Sequence, residues 1–342
     1  MSDLWTDLQK TELPIVLYGM GDGADKILAV LDRYGITVDD FFASDGFVRG
    51  QSFHGKQVLS YAQVCEKYDD FIVLLAFASS LPTVTDNIYR IAAEHTLYAP
   101  DVPVVEGALF NAEFYQEHKE EFAQARSLFA DERSREVFDR VISYKLTGAL
   151  EPLRASECDP DEPRRAILHP QNYQVACDLG AYTGDTAKEL LSIAPQIARI
   201  YALEPDRRNF AKLSAYAQSE PRVCALRVGA WNCESTQSVR NDGGRGAGRG
   251  AGETVRFDAL DRLVNKKVDY IKFDVEGSER EALLGAREII SRDRPEMLVS
   301  LYHRSEDLYA LPLLIHELRP DYRMYLRRFP YIPAWDLNLY CV

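Results

Sequence analysis

The chain has 342 residues, 46% of them hydrophobic and 27% charged, which is enough for two ordinary domains with a buried core in each half. Its formal net charge of −13 argues against general affinity for nucleic-acid phosphates or anionic membrane surfaces, because both reward clustered Lys and Arg. The six cysteines show no C-x-x-C spacing and several lie in apolar runs, so they read as free thiols in a reducing compartment. Asp3, Asp7 and Glu12 stand where a secretory signal would be basic and then apolar, and the longest apolar run, Phe71–Ala78, falls far short of the ~20 residues that cross a bilayer. No membrane span and a cytoplasmic location are therefore expected.

Residues 1–100 read as a small Rossmann-like α/β domain. Leu13–Tyr18 is a short buried strand, and Gly19-Met-Gly21-Asp-Gly23 turns into an amphipathic helix through Ile27, Leu28, Val30 and Leu31. Phe41–Asp45 is a second strand ending in an acid, and Phe71–Ala78 a third, fully buried one. That order belongs to a mononucleotide-binding half, with Asp45 placed to hold a ribose hydroxyl. The glycine spacing is G-x-G-x-G, however, and a lone turn has low specificity. A nucleotide or nucleotide-sugar ligand at Gly19–Gly23 and a purely architectural or dimerising role both stay open. The stretch from Asp45 to Leu59 resembles the small Rossmann-like domains found ahead of some sugar-modifying acyltransferases and methyltransferases.

Residues 101–169 form a connector. Glu113–Ala130 and Asp131–Tyr144 have helical patterns, the second with an apolar stripe of Val137, Phe138, Val141 and Ile142. Glu151–Arg165, rich in Pro, Asp and Glu, is expected to be an exposed loop. Residues 170–342 then alternate strand and helix: strand Gln174–Leu179, helix Gly184–Ile193, strand Arg199–Leu203, helix Asp206–Ala217, strand Arg222–Val228. Such alternation specifies a parallel sheet covered on both faces, with ligands beyond the carboxyl ends of its strands.

The organising stretch is Asp178-Leu-Gly180-Ala-Tyr182-Thr-Gly184-Asp185, an apolar strand running into a glycine turn and a helix. Bare backbone at Gly180 and Gly184 would let a ligand approach the strand end, where the helix offers unpaired N–H groups. Glu204, about twenty residues on, is placed to accept both hydrogen bonds of a ribose diol, with Pro205 starting the next helix. Gly229-Ala230-Trp231 offers backbone and an aromatic edge to a base. The run 241–252 (NDGGRGAGRGAG) reads as a flexible insertion. Val268–Phe273 is a strand delivering Asp274 and Glu276 to the same sheet end, followed by a helix over Glu279–Ile290.

Asp178-x-Gly180-Ala-x-x-Gly184-Asp-Thr186, Glu204-Pro205, Asp274-x-Glu276-Gly277 and Leu283-x-Gly285-Ala286 together resemble the FkbM family of S-adenosylmethionine-dependent methyltransferases, over residues 170–342. The resemblance implies a class I methyltransferase-type Rossmann-like sheet with antiparallel closing strands. It also implies S-adenosylmethionine as cofactor, and methyl transfer to an oxygen, most often a hydroxyl on a sugar, glycan or secondary metabolite. Asp178, Gly180, Tyr182, Gly184, Glu204, Ala230, Asp274 and Glu276 become the cofactor-binding candidates.

His303 follows the apolar strand Met297–Leu301 and is the leading general base, with Asp274 next. Asp274, Glu276 and His303 could also gather a magnesium ion, but a cation so close to a sulfonium is the less favoured arrangement. Two rival functions stay in view: an NAD(P)-dependent oxidoreductase using Gly19–Gly23, and a non-catalytic nucleotide-sugar-binding or scaffold protein. The small-molecule or glycan acceptor is not legible, and a homo-oligomer is compatible with everything above.

Overall fold

In a computed structural model of the chain, residues 2–239 and 253–342 are described, so the glycine-rich run expected as a flexible insertion lies outside them. The N-terminal sheet comprises β1 (Ile15–Tyr18), β2 (Asp40–Ala43), β3 (Ser52–Phe53), β4 (Lys56–Ser60), β5 (Ile72–Leu75) and β6 (Thr96–Tyr98), in the order β3-β4-β2-β1-β5-β6. All its pairings are parallel except the β3–β4 hairpin. Alternation along the buried strands sends neighbours to opposite faces. Leu17, Phe41 and Leu74 join Ile27 and Leu31 of helix Asp22–Arg33 in one cluster. Val16, Phe42 and Val73 enter a second cluster that continues through Phe110 and Phe138 to Ile271 and Val299 of the C-terminal sheet. One face of the N-terminal sheet is thus packed into the same core as the C-terminal half.

The C-terminal half contributes β7 (Val175–Leu179), β8 (Arg199–Leu203), β9 (Val223–Leu226), β10 (Gly229–Ala230), β11 (Ser235–Val239), β12 (Glu253–Asp258), β13 (Tyr270–Phe273), β14 (Glu296–Ser300), β15 (Met324–Arg328) and β16 (Leu337–Cys341). Seven of these strands form the sheet β15-β16-β14-β13-β7-β8-β9, and β10-β12-β11 form a separate small sheet. Within the larger sheet β16 alone runs against its neighbours, so β15 and β16 form the antiparallel closing pair that the resemblance implies. Among the described residues no helix is long and apolar enough to cross a membrane.

Three sequence expectations are corrected here. Glu113–Ala130 is two helices, Ala112–Glu117 and Lys119–Ser127, meeting at His118. Glu151–Arg165 is no exposed loop: it carries helices Leu150–Ala155 and Glu162–Ala166, and Leu150, Pro152, Leu153 and Pro163 are buried. Charge explains the ordering. Arg327 and Arg328 of β15 are fully buried, and buried guanidinium groups require carboxylates. Arg327 Nη2 lies 2.7 Å from both Asp131 and Glu162, and Arg328 Nη2 lies 3.1 Å from Glu157. The helix expected over Glu279–Ile290 divides into Glu279–Gly285 and Arg287–Asp293. Asp261 begins the second piece by accepting the backbone N–H groups of Glu288 and Ile289 at 3.0 and 2.9 Å.

Candidate active site

The strand-to-helix turn after β7 is held by backbone. The N–H groups of Gly180 and Ala181 both donate to Leu203 O of β8, at 3.0 and 2.9 Å. Gly180 has φ +84°, and a Cβ there would lie 1.8 Å from the carbonyl oxygen of Asp274. Its bareness therefore serves first the close approach of β7 and β13, not that of a ligand. Gly184, at φ +86°, precedes helix Asp185–Ile193, and a Cβ on it would press on Tyr216 and Leu213. Pro205 does not start the next helix: Asp206 caps Arg207–Ser219, its Oδ1 accepting from Arg208 and Asn209 N–H, both at 2.8 Å.

Beyond these strand ends lies a cavity of about 1010 Å³. Gly180, Tyr182, Glu204, Ala230, Asp274 and Glu276 line it, as does His303. Asp178 and Gly184 stand behind its wall. Glu204, buried at the end of β8, accepts the N–H of Tyr182 at 2.8 Å and that of Asp206 at 2.8 Å. Burial nevertheless pushes its carboxyl up to about 7, against the lowering pull of those two N–H donors. Asp178 is wholly buried, and neither of its carboxylate oxygens has a hydrogen-bond partner. Burial lifts it to about 6, and Lys272, beside it in the β7–β13 register, holds it from rising further.

A polar cluster occupies the ends of β13 and β14. Asp274 is engaged on both oxygens: Tyr302 Oη–H donates to Oδ1 at 3.0 Å, and Lys272 Nζ lies 3.1 Å from Oδ2. Burial works against its charge, but Lys272 and His303 outweigh burial and hold Asp274 down at about 2. His303 is almost completely buried, with Nε2 3.8 Å from Asp274 Oδ1 and 3.7 Å from Glu276 Oε2. Its other nitrogen, Nδ1, sits 2.9 Å from Glu279 Oε1 in an ion pair whose angle is poor for a directed hydrogen bond. Burial disfavours the imidazolium, yet the carboxylates of Glu279, Asp274 and Glu276 prevail and raise His303 to about 9. Glu279 Oε1 also accepts the N–H of Val275 at 2.9 Å, which ties the histidine's partner to the turn carrying Asp274 and Glu276. Asp307, buried nearby, is pushed well above the usual carboxylate range by burial and by the Glu279 charge.

Several groups follow the same logic without having been singled out from sequence. Thr186, Lys272, Ser300 and Tyr302 line the cavity, and Glu279 backs it. For Lys272 a signal existed, since it stands two residues before Asp274 and alternates in phase with it at the end of β13; nothing in the sequence ties Glu279 to His303. The donor set suits a nucleoside ligand that carries hydroxyls and an amino-acid end. Glu204 is an acceptor at the wall for a diol, and Asp178 is an unsatisfied buried acceptor beside the turn. Ligand atoms of Asp274, Glu279 and His303 also lie within 4.8 Å of one another, the spacing of a cation site. Lys272, at 3.1 Å from Asp274, already supplies positive charge there and would repel a second cation.

Residues 178–332 match the family described as the Methyltransferase FkbM domain. Among solved structures, methyltransferase FkbM from Methylobacillus flagellatus KT matches with TM-score 0.76 and 22% identity, covering 99% of this chain and 92% of that one. Fibrillarin from Aeropyrum pernix with bound S-adenosyl-L-methionine matches at 18% identity and TM-score 0.33, over 52% of this chain and 70% of that one. An rRNA methylase from Streptococcus thermophilus matches at 10% identity and TM-score 0.32, over 50% of this chain and 86% of that one. No curated protein matches the sequence. The family match displaces the oxidoreductase and non-catalytic readings. The chain thus has the fold of an FkbM-type S-adenosylmethionine-dependent methyltransferase, with an N-terminal α/β sheet domain ahead of a C-terminal FkbM domain.

Proposed function

We propose that the chain is an O-methyltransferase acting on a hydroxyl of a sugar, glycan or secondary metabolite, with His303 as general base and Glu279 as the residue that positions it. The observation carrying this reading is the imidazole itself: Nδ1 is occupied by Glu279 while Nε2 faces the cavity between Asp274 and Glu276. The Glu279 charge beside Nδ1 favours a proton on that nitrogen electrostatically and leaves Nε2 to accept a proton. Asp274 does not compete for that role, because a carboxylate held at about 2 is too weak a base for a hydroxyl.

S-adenosylmethionine supplies an activated methyl on a sulfonium, which an acceptor oxygen displaces in line. Glu204 would take its ribose hydroxyls, and Gly180, Tyr182 and Ala230 would shape the walls around the nucleoside. Asp178 and Asp274, with Glu276, supply negative charge towards the amino-acid and sulfonium end; Gly184 acts only through the turn. The protein's main contribution is orientation. At pH 7 a free-enzyme pKa of about 9 leaves only about 1% of His303 neutral. A sulfonium entering the same cavity disfavours the imidazolium and so favours the base form. As the O–CH₃ bond forms and the C–S bond breaks, the hydroxyl proton passes to Nε2.

The test is incubation of the full chain with methyl-labelled S-adenosylmethionine and a panel of glycans, nucleotide sugars and lipid-linked sugars. Label in a methyl ether is expected, at a rate that rises with pH towards 9 and is insensitive to EDTA. Label in nitrogen or carbon positions only would overturn the reading, and loss of activity with EDTA restored by magnesium would overturn its metal-free form.

A further inference from the structure

The cavity does not end at the cofactor side. It continues over one face of the sheet, floored by Leu298, Ser300 and Asn338, to a loop between β15 and β16 that presents Phe329, Tyr331 and Trp335. The rings of Tyr331 and Trp335 stand 5.8 Å apart at 32°, making a shallow aromatic shelf. Asn338 Nδ2 donates to Asp336 Oδ1 at 2.7 Å, so an amide and a carboxylate are set beside the shelf. We propose that this shelf binds a neutral sugar ring of the acceptor and that the N-terminal domain holds the shelf in place; this rests on the hydroxyl-methylating reading above.

The chemistry favours a neutral ring. Flat aromatic faces cover the C–H face of a pyranose, while the carboxylate and amide meet hydroxyls that both donate and accept. A phosphorylated or carboxylated ring would need an available cation. The basic residues in this half of the cavity, Arg164, Lys272 and His303, are each paired with a carboxylate, Glu189, Asp274 and Glu279 respectively. Asp336, Asp274 and Glu276 add negative charge to the same wall.

Three separate segments build the loop. Arg328, fully buried, donates to the carbonyls of Phe329 and Tyr331 at 3.0 and 2.9 Å, and to Leu153 O and Ser156 Oγ of the connector, both at 2.6 Å. From the N-terminal domain, Ser79 N donates to Ile332 O at 2.8 Å and Ile332 N returns a bond to Ser79 O at 3.0 Å. Ser79 follows the end of β5, in the loop where a Rossmann-like domain would carry its own ligand. That loop is spent instead on the neighbouring site. Its role is positioning, since it reaches the sugar only through Tyr331 and Trp335.

The experiment is saturation-transfer NMR on the full chain loaded with S-adenosylhomocysteine, using the methyl α-glycosides of glucose, mannose, galactose and rhamnose and, as a charged control, glucose 6-phosphate. Transfer to ring C–H protons of at least one glycoside, and none to the phosphate, is expected. Trp335→Ala should weaken glycoside binding tenfold or more with S-adenosylhomocysteine affinity unchanged, and Trp335→Phe should restore most of it. Ser79→Pro, which removes the donor to Ile332, should weaken glycoside binding in the same direction. No glycoside signal, stronger binding of the phosphate, or an unaltered response in Trp335→Ala overturns the shelf. An unaltered response in Ser79→Pro overturns the N-terminal contribution. Glycosides that bind but accept no methyl group support the shelf and overturn only the reaction proposed above.

Discussion

The molecule contains two glycine turns of the same kind, each leading from a buried parallel strand into an amphipathic helix, and the second opens onto a cavity lined by buried acids. After β1, Gly23 faces the carbonyl of Ala76, where a Cβ would come within 2.3 Å, and Tyr18 is closed over by Phe42 at 4.5 Å and Phe77 at 4.8 Å. Asp22 and Asp25 put negative charge in the helix's first turn, where a phosphate would need the opposite, and Asp25 pairs with His54 at 2.7 Å. After β7, Gly180 makes an equally tight contact with Asp274, but the neighbouring strand ends carry Glu204, Asp274 and His303 on a cavity wall. A glycine turn therefore reports a close strand-to-helix corner. What distinguishes a site is a set of carboxylates held in a low-dielectric wall with pKa values driven apart, here to about 7 for Glu204 and about 2 for Asp274.

The sharpest way to break this comparison is to remove the functional group at each corner. His303→Ala should lower turnover by a factor on the order of 10² to 10⁴, the usual share of a general base, while S-adenosylhomocysteine affinity measured by calorimetry stays the same. Asp45→Asn, at the equivalent place after β2, should change neither. Loss of turnover in Asp45→Asn would mean that the N-terminal corner takes part in the reaction.

The next effect is on stability. Gly180→Ala forces a side chain into backbone at a positive φ, which should cost roughly 2 to 5 kcal/mol and destroy the cofactor-induced rise in melting temperature. Gly23→Ala meets backbone too and should lower the melting point, yet the folded chain should keep its full response to S-adenosylhomocysteine. An absent response in Gly23→Ala would join the two corners functionally.

How much of this could be read from sequence follows from the same contrast. Strand ends were legible because apolar runs stop at acids: the carboxylates at 178, 204 and 274 all fall at the ends of adjacent strands of one sheet. Their depth was not legible, because burial is set by neighbours. Asp178 reads in sequence as a wall residue and lies behind the wall, while Lys272, which neutralises it, is two residues from Asp274 on the same face. The connector was misread for a similar reason. Pro, Asp and Glu in Glu151–Arg165 look like solvent-facing composition until Arg327 and Arg328, more than 150 residues later in the chain, turn those acids into partners of buried cations. The close packing of the N-terminal turn depends on Phe77 and Ala76 crossing over it.

A smaller effect sharpens the comparison through pH. Ribose hydroxyls donate to the ionised form of Glu204, and that form is populated above about 7. S-adenosylhomocysteine affinity should therefore be level above pH 8 and fall below 7, by up to about tenfold per unit. Glu204→Gln should bind more weakly at every pH and lose most of the dependence between pH 6.5 and 8, which calorimetric titration at four pH values would read. A wild-type profile in Glu204→Gln would remove the carboxylate from the cofactor site.

The smallest effect compares the two forms of the cofactor against one histidine. His303 has its folded pKa raised to about 9 from an unfolded value of ~6.5, so its contribution to stability is fully present below ~6.5 and is lost as pH rises through about 9. The groups facing it are Asp274, Glu276 and Glu279, with Lys272 and Asp307 behind them. The melting temperature of the unliganded chain should accordingly drift downward between pH 6.5 and 9, and His303→Gln should flatten that drift. Within the wild type, a sulfonium is opposed by the imidazolium and a thioether is not. The ratio of the S-adenosylmethionine dissociation constant to that of S-adenosylhomocysteine should shrink as pH rises towards 9, whereas in His303→Gln it should stay constant. A ratio indifferent to pH in the wild type would place the imidazole too far from the sulfur to act on an acceptor attached beside it.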